Sequence, residues 1–203
     1  MKSTPYVALE GPDGSGKDSQ ADLLCDWFRE QGLDPLRLNE PDATLPTGQL
    51  LRQMLKDGTY VKAHAAMFLA DRMAMLSERV TPALKAGRPV VCARSFLSTL
   101  VYQQESWPLD WLFAIHEMLP ERPTHIFILD IPPEAGLERT RKRAGHAEFY
   151  EKVEVLARVR QRYLDIIDSD RLATMLGPGT DRAVVNADRP IDAIQADLRR
   201  ELT

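Results

Sequence analysis

The run Glu10-Gly11-Pro12-Asp13-Gly14-Ser15-Gly16-Lys17-Asp18-Ser19 has the residue types and spacing to grip a polyphosphate. Glycines let consecutive backbone N–H groups turn inward around a phosphate, a lysine reaches the neighbouring oxygens, and a helix N-terminus adds positive potential. Gly11, Gly14, Gly16 and Lys17 fill those posts. The run joins a short apolar stretch, Tyr6-Val7-Ala8-Leu9, to Ala21, Leu24, Cys25 and Phe28 at helical spacing, which is the strand–turn–helix setting the motif requires. The expected ligand is a nucleotide. Its phosphates would be held by Gly11, Asp13, Gly14, Ser15, Gly16, Lys17, Asp18 and Ser19.

Asp18 departs from the pattern, which places Ser or Thr there so that a hydroxyl ligates the Mg²⁺ bridging the β- and γ-phosphates. Aspartate keeps a ligand and adds a charge. An unscreened carboxylate would be repelled by a triphosphate, so the position predicts a cation between them and makes Asp18 the candidate metal ligand. The competing reading is a loop that has lost catalytic competence.

The elements that must position this loop alternate along the chain, the pattern of a parallel sheet covered on both faces. Strands are predicted at Tyr6–Glu10, Pro35–Asn39, Pro89–Ala93, Thr124–Asp130 and Ala183–Asn186. Helices are predicted after the loop, near Gly48–Asp57, over His64–Ala86, and around Ser98–Gln104 and Leu109–Leu119. Three more follow at Pro133–Arg143, Glu148–Asp168 and Pro190–Leu202. The 203 residues with a net charge of −4 suit one domain, with no repeat or low-complexity tract. No apolar run approaches the ~20 residues of a membrane span, so a soluble, cytoplasmic protein is expected. The acidic balance and the lack of a long basic stripe argue against a nucleic-acid partner. Cys25, Cys92 and the four scattered histidines show neither metal-ligand spacing nor a nucleophile–base arrangement.

Ligands in such sheets gather beyond the carboxyl ends of the strands, which brings Glu10–Lys17, Glu40-Pro41, Arg94 and Asp130 together. Arg94 there is a natural phosphate clamp or a structural ion pair. Phe68 and Arg72 stand at i and i+4, so an aromatic plane and a planar donor share one helix face, which suits a base or a core Phe beside a surface Arg. The basic run Arg139-Thr140-Arg141-Lys142-Arg143 alone reads as a solvated helix end.

Taken together these segments resemble the thymidylate kinase family of P-loop nucleoside monophosphate kinases over essentially the whole chain. The resemblance rests on the loop with its acid at Asp13, on Asn39-Glu40-Pro41, on Met67-Phe68-Leu69-Ala70-Asp71-Arg72, and on Arg94 followed by Ser98, Thr99, Tyr102 and Gln103. It implies a three-layer α/β fold with a five-stranded parallel sheet. A short Arg-rich lid is implied over approximately residues 139–151. Asp13 would then touch the acceptor's 3′-hydroxyl and phosphate region, Phe68 would stack on thymine, and Arg72 would bond its O4. Arg94 would hold the acceptor phosphate. Glu40, Ser98, Thr99 and Tyr102 would line its site, Tyr102 either blocking a 2′-hydroxyl or packing beside Trp107. Arg139 and Arg143, with Arg141 between them, would supply catalytic charge, because the loop itself carries no basic residue before Lys17. Asp130 resembles a structural position and is left out of the site.

Three departures stand out. The family carries Asp-Arg after the third strand where this chain has Ala93-Arg94, and Asp18 is the candidate replacement for the missing acid. Asn39 replaces an arginine, and Asp42-Ala43 replaces a glycine pair, which leaves the acceptor's identity open. The resemblance implies ATP-dependent, Mg²⁺-assisted phosphorylation of dTMP by a homodimer, with the apolar run Ala65–Leu69, Met73, Met75 and Leu76 serving both core and partner. The rivals are a kinase for a modified pyrimidine deoxynucleotide, free or in DNA, and a nucleotide-binding module with weakened catalysis.

Overall fold

The computed structural model describes residues 4–144 and 152–203, except for the side chains of Arg143 and Ala144. In chain order its elements are β1 (Tyr6–Glu10), α1 (Lys17–Glu30), β2 (Leu36–Asn39), α2 (Pro46–Asp57) and α3 (His64–Met75). A π-helical turn (Leu76–Val80), α4 (Thr81–Lys85), β3 (Val90–Ala93), α5 (Phe96–Tyr102) and α6 (Leu109–His116) follow. The rest is β4 (His125–Asp130), α7 (Pro133–Ala144), α8 (Val153–Ile167), α9 (Asp170–Leu176), β5 (Asp181–Asn186) and α10 (Ile191–Leu202).

All five strands run parallel in the order β2-β3-β1-β4-β5, so β1 and its loop sit in the middle. Alternation along β1 divides the core. Val7 and Leu9 face α1 and α10 through Leu24, Phe28, Ile194 and Leu198. Tyr6 and Ala8 face the other layer, which includes Met75, Leu100, Phe113 and Tyr163. Each face buries aliphatic and aromatic side chains against helices, which is what makes a parallel sheet stable. Cys25 and Cys92 are buried and free in these two layers, and burial pushes both thiols up, that of Cys25 to about 11. Among the described residues, no helix is long and apolar enough to cross a membrane.

The structure differs from the sequence reading in two places. The helix expected over His64–Ala86 is divided, because Pro82 offers no N–H and its ring crowds the carbonyl four residues back, and the helix widens into the π turn just before it. A separate α9 follows α8, with the Ser169 hydroxyl accepting from the Leu172 N–H at 3.2 Å to cap it and Gly177 at φ +73° beyond its end. Ala65, Met75 and Leu76 lie fully in the core, while Leu69 and Met73 pack partly buried against it.

Candidate active site

The phosphate loop closes on itself through its lysine. Lys17 Nζ donates to the carbonyls of Gly11 and Pro12, both at 2.8 Å, and to Ser15 Oγ at 3.3 Å. Burial, and then the nearby charge of Arg94, pulls this ammonium down to about 7. Gly14 is required twice over. Its φ is +83°, and a Cβ there would lie 2.1 Å from the Gly136 carbonyl oxygen. Loop and α7 therefore meet backbone to backbone. A cleft of about 400 Å³ opens in front of Lys17, and Asp13, Asp18, Ala93 and Arg94 line it.

Arg94 follows β3 with φ +75°, a left-handed conformation that non-glycine residues hold only where the surroundings over-determine it. Its N–H donates to the Leu9 carbonyl at 2.9 Å, and its guanidinium pairs with Asp13, donates to Ser98 Oγ at 3.3 Å and lies 5.2 Å over the Tyr102 ring. Burial works against its charge, yet Asp13 beside it more than offsets that and holds its pKa well above the usual value. Arg94 is thus held in an ion pair and also lines the cleft.

A second cavity of about 150 Å³ adjoins, walled by Phe68, Leu55, Pro41, Ser98, Tyr102 and Gln103. Tyr102 packs edge-on to Tyr163 at 6.4 Å, and Trp107 stacks on Trp111. Arg72 is not on this wall. It lies buried behind, with Nε bonded to both Glu40 carboxylate oxygens at 3.0 Å, Nη2 to Glu40 and to Thr99 Oγ1, and Nη1 to His116 Nε2 at 2.8 Å. His116 Nδ1 sits 2.6 Å from the Leu112 carbonyl, which only accepts, so Nδ1 carries the proton and Nε2 accepts from Arg72. Burial, and then Arg72, pulls this imidazole down to about 3, so it is neutral. Four of the five N–H bonds of Arg72 are engaged, and Thr99 supports it from behind rather than lining the cavity.

Asp18 reaches the main cleft with an exposed side chain, and Arg37 of β2 stands 3.3 Å from it while also bonding Asp22 at 2.7 Å and Asn39 Oδ1 at 2.5 Å. A guanidinium therefore stands beside Asp18. No cluster of three or more His, Cys, Asp or Glu able to hold a metal occurs among the described residues. The hard carboxylate of Asp18, opening on this cleft, nevertheless fits Mg²⁺, which binds one or two protein carboxylates plus substrate phosphates and keeps several waters.

Asp42 and Ala43 do not line the Phe68 cavity. Asp42 is buried and accepts from Thr44 N–H at 2.9 Å, Thr44 Oγ1 at 2.7 Å and Arg79 at 2.6 Å, while its own N–H donates to Asp71 at 2.9 Å. Burial would raise its carboxyl, but the Thr44 and Arg79 bonds hold it below the usual value. This departure shapes a loop. Arg52 escaped the sequence reading. It extends from α2 to the main cleft, bonded only to the Pro41 carbonyl through Nε at 3.0 Å and Nη2 at 2.6 Å among the described residues. Nothing local marks it, since the loop after Glu40 must fold back before α2 comes near.

Behind the phosphate loop a third cavity, about 360 Å³, lies between Ser19, Gln20, Arg139, Arg189, Pro190 and Ile191. Arg139 donates to the Ala187 carbonyl at 2.9 Å and lies 3.5 Å from Asp188. Arg141 is exposed on α7. The side chain of Arg143 and residues 145–151, most of the expected lid, lie outside the described residues. Asp130 forms a two-point pair with Arg160 of α8 at 2.6 and 2.8 Å, away from the cleft lining.

A family model described as thymidylate kinase matches residues 9–193. The chain is 36% identical over 201 residues to the probable thymidylate kinase of Pyrococcus abyssi, covering 95% of this chain and 93% of that protein. It is 33% identical over 204 residues to the thymidylate kinase of Symbiobacterium thermophilum, covering 96% and 91%. The probable thymidylate kinase of Methanothermobacter thermautotrophicus is 34% identical over 203 residues, covering 97% and 93%.

Proposed function

The chain belongs to the thymidylate kinase family, and from that premise we propose that it transfers the γ-phosphoryl group of ATP to dTMP, giving dTDP and ADP. The observation that carries this reading is the convergence of Lys17 and Arg94 on one cleft, with the Phe68 cavity adjoining it on one side and the Ser19–Ile191 cavity on the other. Two nucleotides can thus lie with their phosphates facing.

An acceptor phosphate oxygen forms a bond to Pγ as the bond from Pγ to the β-bridging oxygen breaks, and ADP leaves with that electron pair. Little covalent chemistry is asked of the protein, so positioning and charge stabilisation carry the rate. The loop amides and Lys17 hold the donor phosphates, Lys17 exchanging its carbonyl partners for them. Arg94 and Arg52 hold the acceptor phosphate, Asp13 releasing Arg94 to bond the 3′-hydroxyl. Phe68 stacks on the base, and the Arg72–Glu40 pair backs the cavity. Arg139, Arg141 and Arg143 neutralise charge in transit. Bound Mg²⁺ would screen the β- and γ-phosphates, and Asp18 is the residue that would hold it once Arg37 gives way. Ala93 and Asp18 line the same cleft, which supports Asp18 as the replacement for the missing strand-end acid. The reading also includes a cytoplasmic homodimer, for which Leu50, Tyr60 and Val61 remain exposed near α2 and α3.

The test is Mg²⁺-dependent ADP formation with dTMP, dUMP, 5-hydroxymethyl-dUMP, dCMP, dGMP and dAMP. The largest kcat/KM is expected for dTMP, with turnover nearly lost in Lys17→Ala. Preference for another acceptor, or silence on all six while ATP still binds, overturns the assignment.

A further inference from the structure

Glu10, the last residue of β1, is fully buried and has no cationic partner within ion-pair distance among the described residues. A carboxyl group in such a place must have its lost hydration returned by well-made hydrogen bonds. Its bonds come from neutral donors on two elements. Oε1 accepts from the Ser95 N–H at 2.6 Å, Ser95 Oγ at 2.7 Å and the Ser98 N–H at 3.3 Å. Oε2 accepts from Ser98 Oγ at 2.6 Å and Tyr163 Oη at 2.9 Å.

We propose that Glu10 is the positioning residue for Arg94, fixing both the left-handed backbone and the guanidinium of the acceptor clamp and tying them to α8 through Tyr163. The inference rests on the reading of Arg94 as that clamp. The backbone on one side of Arg94 is set by its N–H bond to Leu9, the residue before Glu10. On the other side Ser95 is held by Glu10 through both its N–H and its hydroxyl. Strained φ values persist only under such over-determination. The side chain is set the same way: Ser98 Oγ donates to Glu10 and accepts from Arg94 Nη1 at 3.3 Å. Tyr163 bonds Glu10 from α8 and packs on Tyr102, whose ring lies under Arg94. One buried carboxylate thus links the root of the phosphate loop, the turn carrying the clamp, and the helix that follows the Arg-rich segment in the chain.

The test is a double-mutant cycle on the full chain with Glu10→Gln and Arg94→Lys, reading KM and kcat for both substrates. Glu10→Gln should lower kcat/KM for dTMP by roughly tenfold or more while KM for ATP moves less than about twofold, and this loss should largely vanish in the Arg94→Lys background. Equal losses on both substrates, or full additivity with an impaired Arg94→Lys, overturn the proposal alone. Arg94→Lys with wild-type acceptor kinetics overturns the clamp reading and the proposal with it. Ser98→Ala tests the same link should Glu10→Gln fail to fold. It should give an acceptor-selective loss, and wild-type behaviour would overturn the proposal.

Discussion

ATP binding should draw a proton from solvent near neutral pH, and Lys17 is the group that takes it. Buried beside Arg94, its ammonium has a pKa of about 7. Nucleotide phosphates against Nζ favour the charged form and raise that value in the complex. The free protein binds fewer protons than the complex at any pH between the two values, so uptake appears as pH rises through 7. With a pKa of 7, about 0.9 of Lys17 is neutral at pH 8 and about half at pH 7. The nucleotide's terminal phosphate, with a second pKa near ~6, is already ionised at pH 8 and adds little. ATP titrated calorimetrically at pH 8 in two buffers of different ionisation enthalpy should therefore report ~0.9 proton taken up. The same linkage makes ATP bind about fivefold more tightly at pH 7 than at pH 8. Lys17→Arg, charged throughout, should bind with no uptake. Uptake below ~0.2 proton, or equal uptake in Lys17→Arg, would refute the reasoning.

Glu40→Gln leaves the buried Arg72 charge without its counter-ion and should destabilise the fold by about 3–5 kcal/mol, read as a fall in the denaturant midpoint. Gly136→Ala places a Cβ 2.8 Å from the Asp13 carbonyl oxygen, and it should raise KM for ATP and cost about 1–3 kcal/mol of stability in the same denaturation experiment. Arg52→Ala should raise KM for dTMP severalfold in steady-state assays with little change in KM for ATP. Ala93→Asp and Asp18→Ser should each cost activity and together restore it if the acid has moved from strand end to loop. Simple additivity in that cycle would sink the relocation idea.

What was legible in the sequence is what depends on short-range periodicity. The five strands, with bounds within two residues, and the phosphate loop follow from alternation and glycine spacing. Pro82 marks the division of the long helix, but apolar spacing on either side stays helical and masks it. Site residues separated as partners did. Asp13, Phe68 and Arg94 line the second cavity; a strand end singles out Arg94, while the helix face leaves Phe68 open between base and core, and the resemblance is needed to single out Asp13 and Phe68. Arg72, Thr99 and Ser98 spend their donors and acceptors on Glu40, His116 and Glu10, contacts between segments far apart in the chain that no local pattern reveals. Arg37 belongs with these, since its bond to Asp18 exists only because β2 runs beside the start of α1.

The π turn at Leu76–Val80 has a further consequence. A π turn is an α-helix carrying one residue too many, so the residues on its two sides are in phase with different neighbours. Upstream, Phe68 faces the second cavity, and within the turn Arg79 meets Asp42 and Thr44. Winding all of these residues into a regular helix would rotate everything beyond the turn by about 100° relative to Phe68. Taking one residue out of the turn would instead restore a regular helix with both flanks in their present phase. The relative facing of Phe68 and α4 is therefore specified by a count of residues as well as by their identities. A substitution scan across the turn would miss that information, and a single-residue deletion tolerated there but not elsewhere in the helix would expose it.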